Sequence, residues 1–189
     1  MPNWCSNSVT ISGPADQIER VRQGISQGNL FNTFAPMPEI LSRVISPIRY
    51  GPNGRAMLSV DPSVLSELVE ATVEEQAQIA ACAPFTTWHD WAAANWGTKW
   101  DPSSEDYHVS VDETQAISVG FDTAWSPPIE FYKAVEEAGL SVDAKYYEPG
   151  MCFYGYFQNE SELTERFTGI SDIPQDIMDE FGIEEWIEE

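Results

Sequence analysis

Two short phrases gather the side chains best suited to binding chemistry. Asn95-Trp96-Gly97-Thr98-Lys99-Trp100-Asp101 and Phe121-Asp122-Thr123-Ala124-Trp125-Ser126-Pro127-Pro128 each set tryptophan beside charge, and Tyr147-Glu148-Pro149-Gly150 adds an acidic turn. Aromatic walls with a few polar groups are the usual makeup of a ligand or peptide pocket. Trp96, Lys99, Trp100, Asp101, Asp122, Trp125 and Glu148 are therefore the candidate binding residues. Tryptophan is also the largest core filler, and Asp122 or Ser126 suits the cap of a helix starting at Pro127. Both readings stand on the sequence.

Residues for catalysis are sparse. His108 sits in an alternating strand and reads as a half-buried sheet residue, and His89 lies between Trp88 and Asp90 on a helix. Gly97-Thr98-Lys99 lacks the upstream glycine and the strand-to-helix setting of a phosphate loop, and no Gly-x-Ser-x-Gly elbow occurs. Cys5, Cys82 and Cys152 are too scattered for an iron–sulfur site, and with two histidines they make a poor zinc set. They suit reduced, mostly buried thiols of a cytosolic protein. Carboxylates are so numerous that no pair stands out as acid and base. The expectation is a non-enzymatic protein without metal or cofactor.

The carboxylates dominate the 189-residue chain: 31 Asp and Glu face nine Lys and Arg, for a net charge of -22. Residues 1–60 hold five Arg against three acids, and residues 61–189 hold 28 acids against four cations, nets of +2 and -24. The last thirty residues carry eleven acids, among them Asp176, Asp179, Glu180, Glu184 and Glu185, with Arg166 the single cation. Arg43, Arg49 and Arg55 lie in a Pro/Gly-punctuated stretch that reads as a basic loop, either packed on the protein's own acids or open to a partner. A charge of this sign excludes direct binding to nucleic acid or an anionic membrane. It suits a host protein with a basic surface as partner. No signal peptide or membrane span is expected, so the location is read as the cytoplasm of a bacterial host. Asn159-Glu160-Ser161 fits a glycosylation acceptor that means little without a secretory route.

The periodicity says what must position these residues. With 42% hydrophobic and 12% aromatic content, the chain can build a core. Trp4–Ser12 reads as a strand with Cys5, Val9 and Ile11 on one face, and Ile18, Val21 and Ile25 form the stripe of a helix ending at Gly28. Residues 29–60 read as irregular. Asp61-Pro62 predicts a helix start with Leu65, Leu68, Val69 and Thr72 on its buried face, and Thr87 caps a further helix closed by Gly97. Tyr107–Val111 and Ile117–Phe121 alternate as a hairpin. Ser126-Pro127 caps a helix through Ile129, Tyr132 and Val135, and two more strands meet at a type II turn on Pro149-Gly150. A short helix around Leu163 and another over Pro174–Phe181 complete the reading, with Ile173–Phe181 and Trp186–Ile187 apolar enough to dock.

This order is the α+β plan of a ferredoxin-like antiparallel sheet, βαββαβ with one extra strand. The domain would span residues 1–159 with a helical insertion at about 61–100, followed by an acidic extension, 160–189, packed on the same domain. The three phrases quoted above, with Met1-Pro2-Asn3-Trp4-Cys5-Ser6-Asn7 and Phe34-Ala35-Pro36-Met37-Pro38-Glu39, resemble the phage- and plasmid-borne YubB-like family over most of residues 1–157. The resemblance implies a ferredoxin-like domain and a mobile-element origin, and it brings no catalytic residues. Joined to the charge, it implies an accessory protein that inhibits a host nucleic-acid-handling or defence protein, its acidic face imitating a phosphate backbone. The alternative is a peptide-binding module using the tryptophan pocket, its charge serving solubility.

Overall fold

A computed structural model describes residues 3–61 and 64–183. In chain order the elements are β1 (Trp4–Ser12), α1 (Ala15–Gln27), α2 (Leu30–Phe34), α3 (Glu39–Arg43), β2 (Met57–Asp61), β3 (Val64–Glu70), α4 (Val73–Ala81) and α5 (Trp88–Asn95). There follow β4 (His108–Glu113), β5 (Ala116–Ala124), α6 (Ile129–Glu137), β6 (Ser141–Glu148), β7 (Phe153–Gln158), β8 (Ser161–Arg166) and α7 (Gln175–Phe181). They form two compact units, one running to Ala35 and resuming at Trp96, the other Pro36–Asn95. The expectations for Pro62, Glu184, Glu185 and Trp186–Ile187 fall outside the described residues.

The first unit is an antiparallel sheet in the order β4-β5-β1-β6-β7-β8. Its β1-α1-β4-β5-α6-β6 succession is the ferredoxin-like plan, extended by β7 and β8. Strand alternation sends Cys5, Val9 and Ile11 to one face with Ile117, Val119, Val142, Ala144 and Tyr146, all buried. Buried Ile18, Val21 and Ile25 of α1 and Phe131, Tyr132 and Val135 of α6 complete this core. One polar group sits inside it. Asn7 Nδ2 donates to the Cys5 carbonyl at 2.8 Å and Thr123 Oγ1 at 2.9 Å, and its Oδ1 accepts from the Tyr132 hydroxyl at 3.0 Å. Those bonds tie β1 to β5 and α6, and an orphaned partner here costs about 1–3 kcal/mol. Gly28 ends α1 at φ 64°, where a Cβ would also lie 2.6 Å from the Ser104 nitrogen.

The other sheet face is only half covered. Tyr147 of β6 stacks on Phe167 and on Phe181 at 5.7 and 6.0 Å, and Lys145 reaches Asp176 at 3.1 Å. Ile173, Ile177, Met178 and Ile183 bury against Tyr154 of β7. Among the described residues, the segment after β8 thus lies over β6 and β7 and leaves β4, β5 and much of β1 open on that side.

Several local expectations fail here. The helix around Leu163 is instead β8, entered through Asn159 and Glu160, both at positive φ (52° and 58°). A two-residue loop of that twist continues a hairpin, and Gly155 opposite β8 has no room for a Cβ, which would meet the Leu163 carbonyl at 2.3 Å. Gly150 is not in the left-handed region a type II turn requires; the positive φ falls on Cys152 (55°). The Glu148 carboxylate closes that loop by accepting from the Gly150 and Met151 N–H groups. Ser126 does not cap α6, because its hydroxyl donates to the Gly97 carbonyl at 2.7 Å.

The second unit replaces the expected helix after Asp61 with a hairpin of β2 and β3, pairing Met57 with Glu70 and Leu58 with Val69. The Leu65, Leu68, Val69, Thr72 spacing fits a helix stripe, but Val60, Val64 and Val69 favour extended backbone. The true helix start is later. Thr72 and Glu75 form a reciprocal capping box that opens α4. Residues 29–60 are less irregular than expected, holding α2, α3 and β2. Arg43 pairs with Glu75 at 2.8 Å, Arg55 donates to the Ala71 carbonyl, and Arg49 is exposed. Thr87 Oγ1 accepts from the Asp90 N–H at the start of α5, and His89 Nδ1 lies 3.7 Å from Asp90.

Candidate functional site

The same alternation that buries Cys5, Asn7, Val9 and Ile11 turns Trp4, Ser6 and Ser8 outward. In register, Ser6 faces Asp122 and Ser8 faces Gly120, and Gly120 in turn faces His108 on β4. Small side chains on the half of the sheet that α7 leaves open create a groove of about 750 Å³. Its floor is Ser6, Ser8, Gly120, Asp122, His108 and Ser110. One wall is the segment Trp100–Ser103 with Glu105 and Asp106, and the opposite wall is Glu180 and Phe181 of α7. Ser103 and Asp106 lock the first wall, the Asp106 carboxylate accepting from the Ser103 hydroxyl at 2.6 Å and its N–H at 3.0 Å. These bonds hold the Asp106 carboxyl below the usual carboxylate range.

The candidate residues divide. Trp100, Asp101 and Asp122 line the groove, and Trp125 stacks on Trp100 with ring centroids 6.5 Å apart and planes 27° off parallel. Lys99 Nζ lies 4.1 Å from the Trp100 ring and 5.2 Å from the Trp125 ring. Trp96 and Glu148 are elsewhere. Trp96 is buried edge-on to Phe31, and its indole N–H donates to the Ala35 carbonyl at 2.9 Å. Glu148 is fully buried in its loop.

Asp101 is both wall and strut. Its Oδ2 accepts from the Asn32 N–H at 2.9 Å and its Oδ1 from the Tyr107 hydroxyl at 3.1 Å. Burial pushes its carboxyl up to about 6, and these hydrogen bonds offset only part of that rise. Of the tail carboxylates, Asp176 accepts from Tyr156 at 3.0 Å beside Lys145, Asp179 from Gln175, and Glu180 from Ser8 at 2.7 Å.

Sequence reasoning missed Trp4, Ser6, Ser8, Gly120 and His108. The signal was available by subtraction, since the residues between buried strand positions must face the other way. His108 is exposed rather than half-buried, because β4 is an edge strand and its cross-strand neighbour is a glycine. Among the described residues, no cluster of three or more His, Cys, Asp or Glu could hold a metal ion. Among them, too, no helix is long and apolar enough to cross a membrane. Cys5 is buried in the core, which raises its thiol pKa and leaves it a poor nucleophile.

No curated protein matches the sequence. The structure is similar to the crystal structure of a protein api92 from Yersinia pseudotuberculosis, with a TM-score of 0.46 and 13% identity over 89% of this chain and 99% of that one. Residues 95–181, which include β4 to α7, match the family model of the ferredoxin-like domain in Api92-like protein.

Proposed function

We propose that the protein is a non-enzymatic binding module that receives a cationic segment of a partner protein in the groove on its open sheet face. In the mobile-element setting implied by the YubB-like resemblance, the partner is a host nucleic-acid-handling or defence protein. The inhibitory effect follows from covering the basic surface that protein uses for nucleic acid.

One observation carries this reading. Glu105, Asp106, Asp122 and Glu180 all border one trough, Asp101 flanks it, and no Lys or Arg lines it among the described residues. Low-dielectric walls focus such a field, which speeds encounter with a basic partner and rejects acidic ones. The broader form, an acidic surface imitating a phosphate backbone, has less support. Among the described tail carboxylates, Asp176 is already paired with Lys145, and Glu180 belongs to the trough itself.

Titration calorimetry with a short arginine-rich peptide tests the proposal. Affinity is expected to fall at least tenfold as salt rises from about 50 to about 300 mM, because the contact is between opposite charges. Gly120→Leu should abolish binding while the protein stays folded, since a Cβ there has only the Asn7 and His108 carbonyls near it, at 3.7 and 4.0 Å. Salt-independent binding, or a Gly120→Leu variant that binds like the wild type, would overturn it.

A further inference from the structure

We propose that the stacked indoles of Trp100 and Trp125 are the subsite for an arginine side chain of the cationic partner, and that Lys99 occupies this subsite as an internal stand-in until the partner displaces it. The inference rests on the groove reading above and names the chemistry of one of its contacts.

Three independent observations meet here. The first is exposure: Trp100 and Trp125 leave 43% and 45% of their surface open, while Trp96 in the same phrase is 6% exposed. Large aromatic rings left in water beside a groove are not serving as core. The second is backbone conformation. Trp125 has φ 67°, a region that bulky side chains rarely adopt and that persists only where the surroundings enforce it. The enforcement is visible in four hydrogen bonds. The Trp125 N–H donates to the Asn3 carbonyl at 2.8 Å and the Thr123 hydroxyl to the Ser126 carbonyl at 2.7 Å. The Ser126 hydroxyl donates to the Gly97 carbonyl at 2.7 Å, and the Thr98 hydroxyl to the Ala124 carbonyl at 3.1 Å. The last two stitch the end of β5 and the loop after it to the loop before β4, and the four together hold one indole against the other. The third is the cation already present. A cation within about 6 Å of a ring centroid is attracted to the ring face, tryptophan most of all, and the Lys99 ammonium meets that condition at both rings.

A guanidinium is planar, stacks on aromatic faces and is less strongly hydrated than an ammonium. An arginine arriving along the acidic trough therefore has the advantage over Lys99 at this subsite. Trp100 belongs to the groove wall, so the arginine side chain reaches the indoles while its neighbours remain over Asp122 and Glu105.

The experiment compares an arginine-rich peptide with its lysine counterpart by calorimetry on wild type, Lys99→Gln, Lys133→Gln, Trp100→Ala and Trp125→Ala, with folding checked by near-UV circular dichroism. Wild type should prefer the arginine peptide. Lys99→Gln should tighten arginine-peptide binding about three- to tenfold, and each tryptophan variant should weaken it about tenfold or more. Lys133→Gln removes a charge on α6, on the opposite sheet face and away from both the groove and the indoles, and its gain should be clearly smaller than that of Lys99→Gln. Equal gains would mean bulk electrostatics and would overturn the stand-in role. Tryptophan variants that bind normally would overturn the subsite while leaving the groove reading intact, provided Gly120→Leu still blocks binding. A wild type that captures neither peptide overturns both.

Discussion

Asp101 shows how one carboxyl can serve stability and recognition in opposite senses. It would ionise near pH 4 in the unfolded chain and near 6 in the folded protein, so the folded state holds the proton more tightly. Its favourable contribution is fully present below about pH 4 and is lost as the pH rises through about 6. A shift of this size corresponds to roughly 2–3 kcal/mol at most, reduced by partial solvent access. Thermal melts between about pH 4 and 7 should show a steeper loss of stability with rising pH in wild type than in Asp101→Asn, which keeps an acceptor for Asn32 or Tyr107. Parallel profiles would remove Asp101 as the cause. Over the same interval the groove gains a negative charge, so a cationic peptide binds wild type more tightly as the pH rises. At this scale the sequence was partly legible. Trp96, Trp100 and Trp125 look alike in it. Only the tertiary frame separates the first, hydrogen-bonded to Ala35 in the core, from the other two.

At the scale of elements, legibility followed the turns. Where the linking residues announce themselves, as between β4 and β5 or at Gly28 after α1, type and position agree with the spacing. Where they do not, the element was misread. The β7–β8 loop uses Asn159-Glu160 in a conformation that sequence usually marks with Asn-Gly, so β8 passed for a helix. The misreading has a measurable counterpart. A left-handed residue other than glycine costs about 1–2 kcal/mol, and glycine's own entropic cost returns part of that. Glu160→Gly should therefore stabilise the protein by about 0.5–1 kcal/mol, a rise in Tm of about 1–4 °C by calorimetry. The variant keeps the backbone N–H that donates to the Glu136 carboxylate at 2.7 Å, so a fall in Tm would mean that the added freedom of the unfolded chain outweighs the relieved backbone preference. The β2–β3 hairpin was missed for a different reason. Apolar residues at 65, 68, 69 and 72 satisfy a helical stripe, and the deciding signal, the Thr72–Glu75 box, lies after them.

For the molecule as a whole, charge is the dominant physical fact. Thirty-one acidic residues share nine cations, and among the described residues Arg22, Arg43, Lys133 and Lys145 already pair with carboxylates. Repulsion among the remaining acids exceeds what such pairs recover, so screening should favour the folded state. Raising sodium chloride from about 20 to about 300 mM should lift Tm by a few degrees. A flat or falling curve would show that attractive pairs dominate. The ferredoxin-like order of strands and helices was readable because it depends on alternation. The uncovered half-face was not, because it depends on where α7 ends up. That placement is set by contacts such as Tyr147 on Phe181 and Lys145 on Asp176, between positions far apart in the chain.

The place of β1 in the sheet bears on how the chain reaches this state. It is synthesised well before the two strands that flank it, Asn7 and its partner Thr123 being 116 residues apart. At about 5–20 residues per second, an emerging chain waits on the order of ten seconds before β5 and β6 exist to flank it. During that time the apolar side of β1 and both of its backbone edges lack their sheet neighbours. Non-local pairing of this kind slows folding. The alternating serine and threonine of β1 then have a second consequence: the nascent strand is polar along one side and a poorer template for self-association than a strand apolar on both.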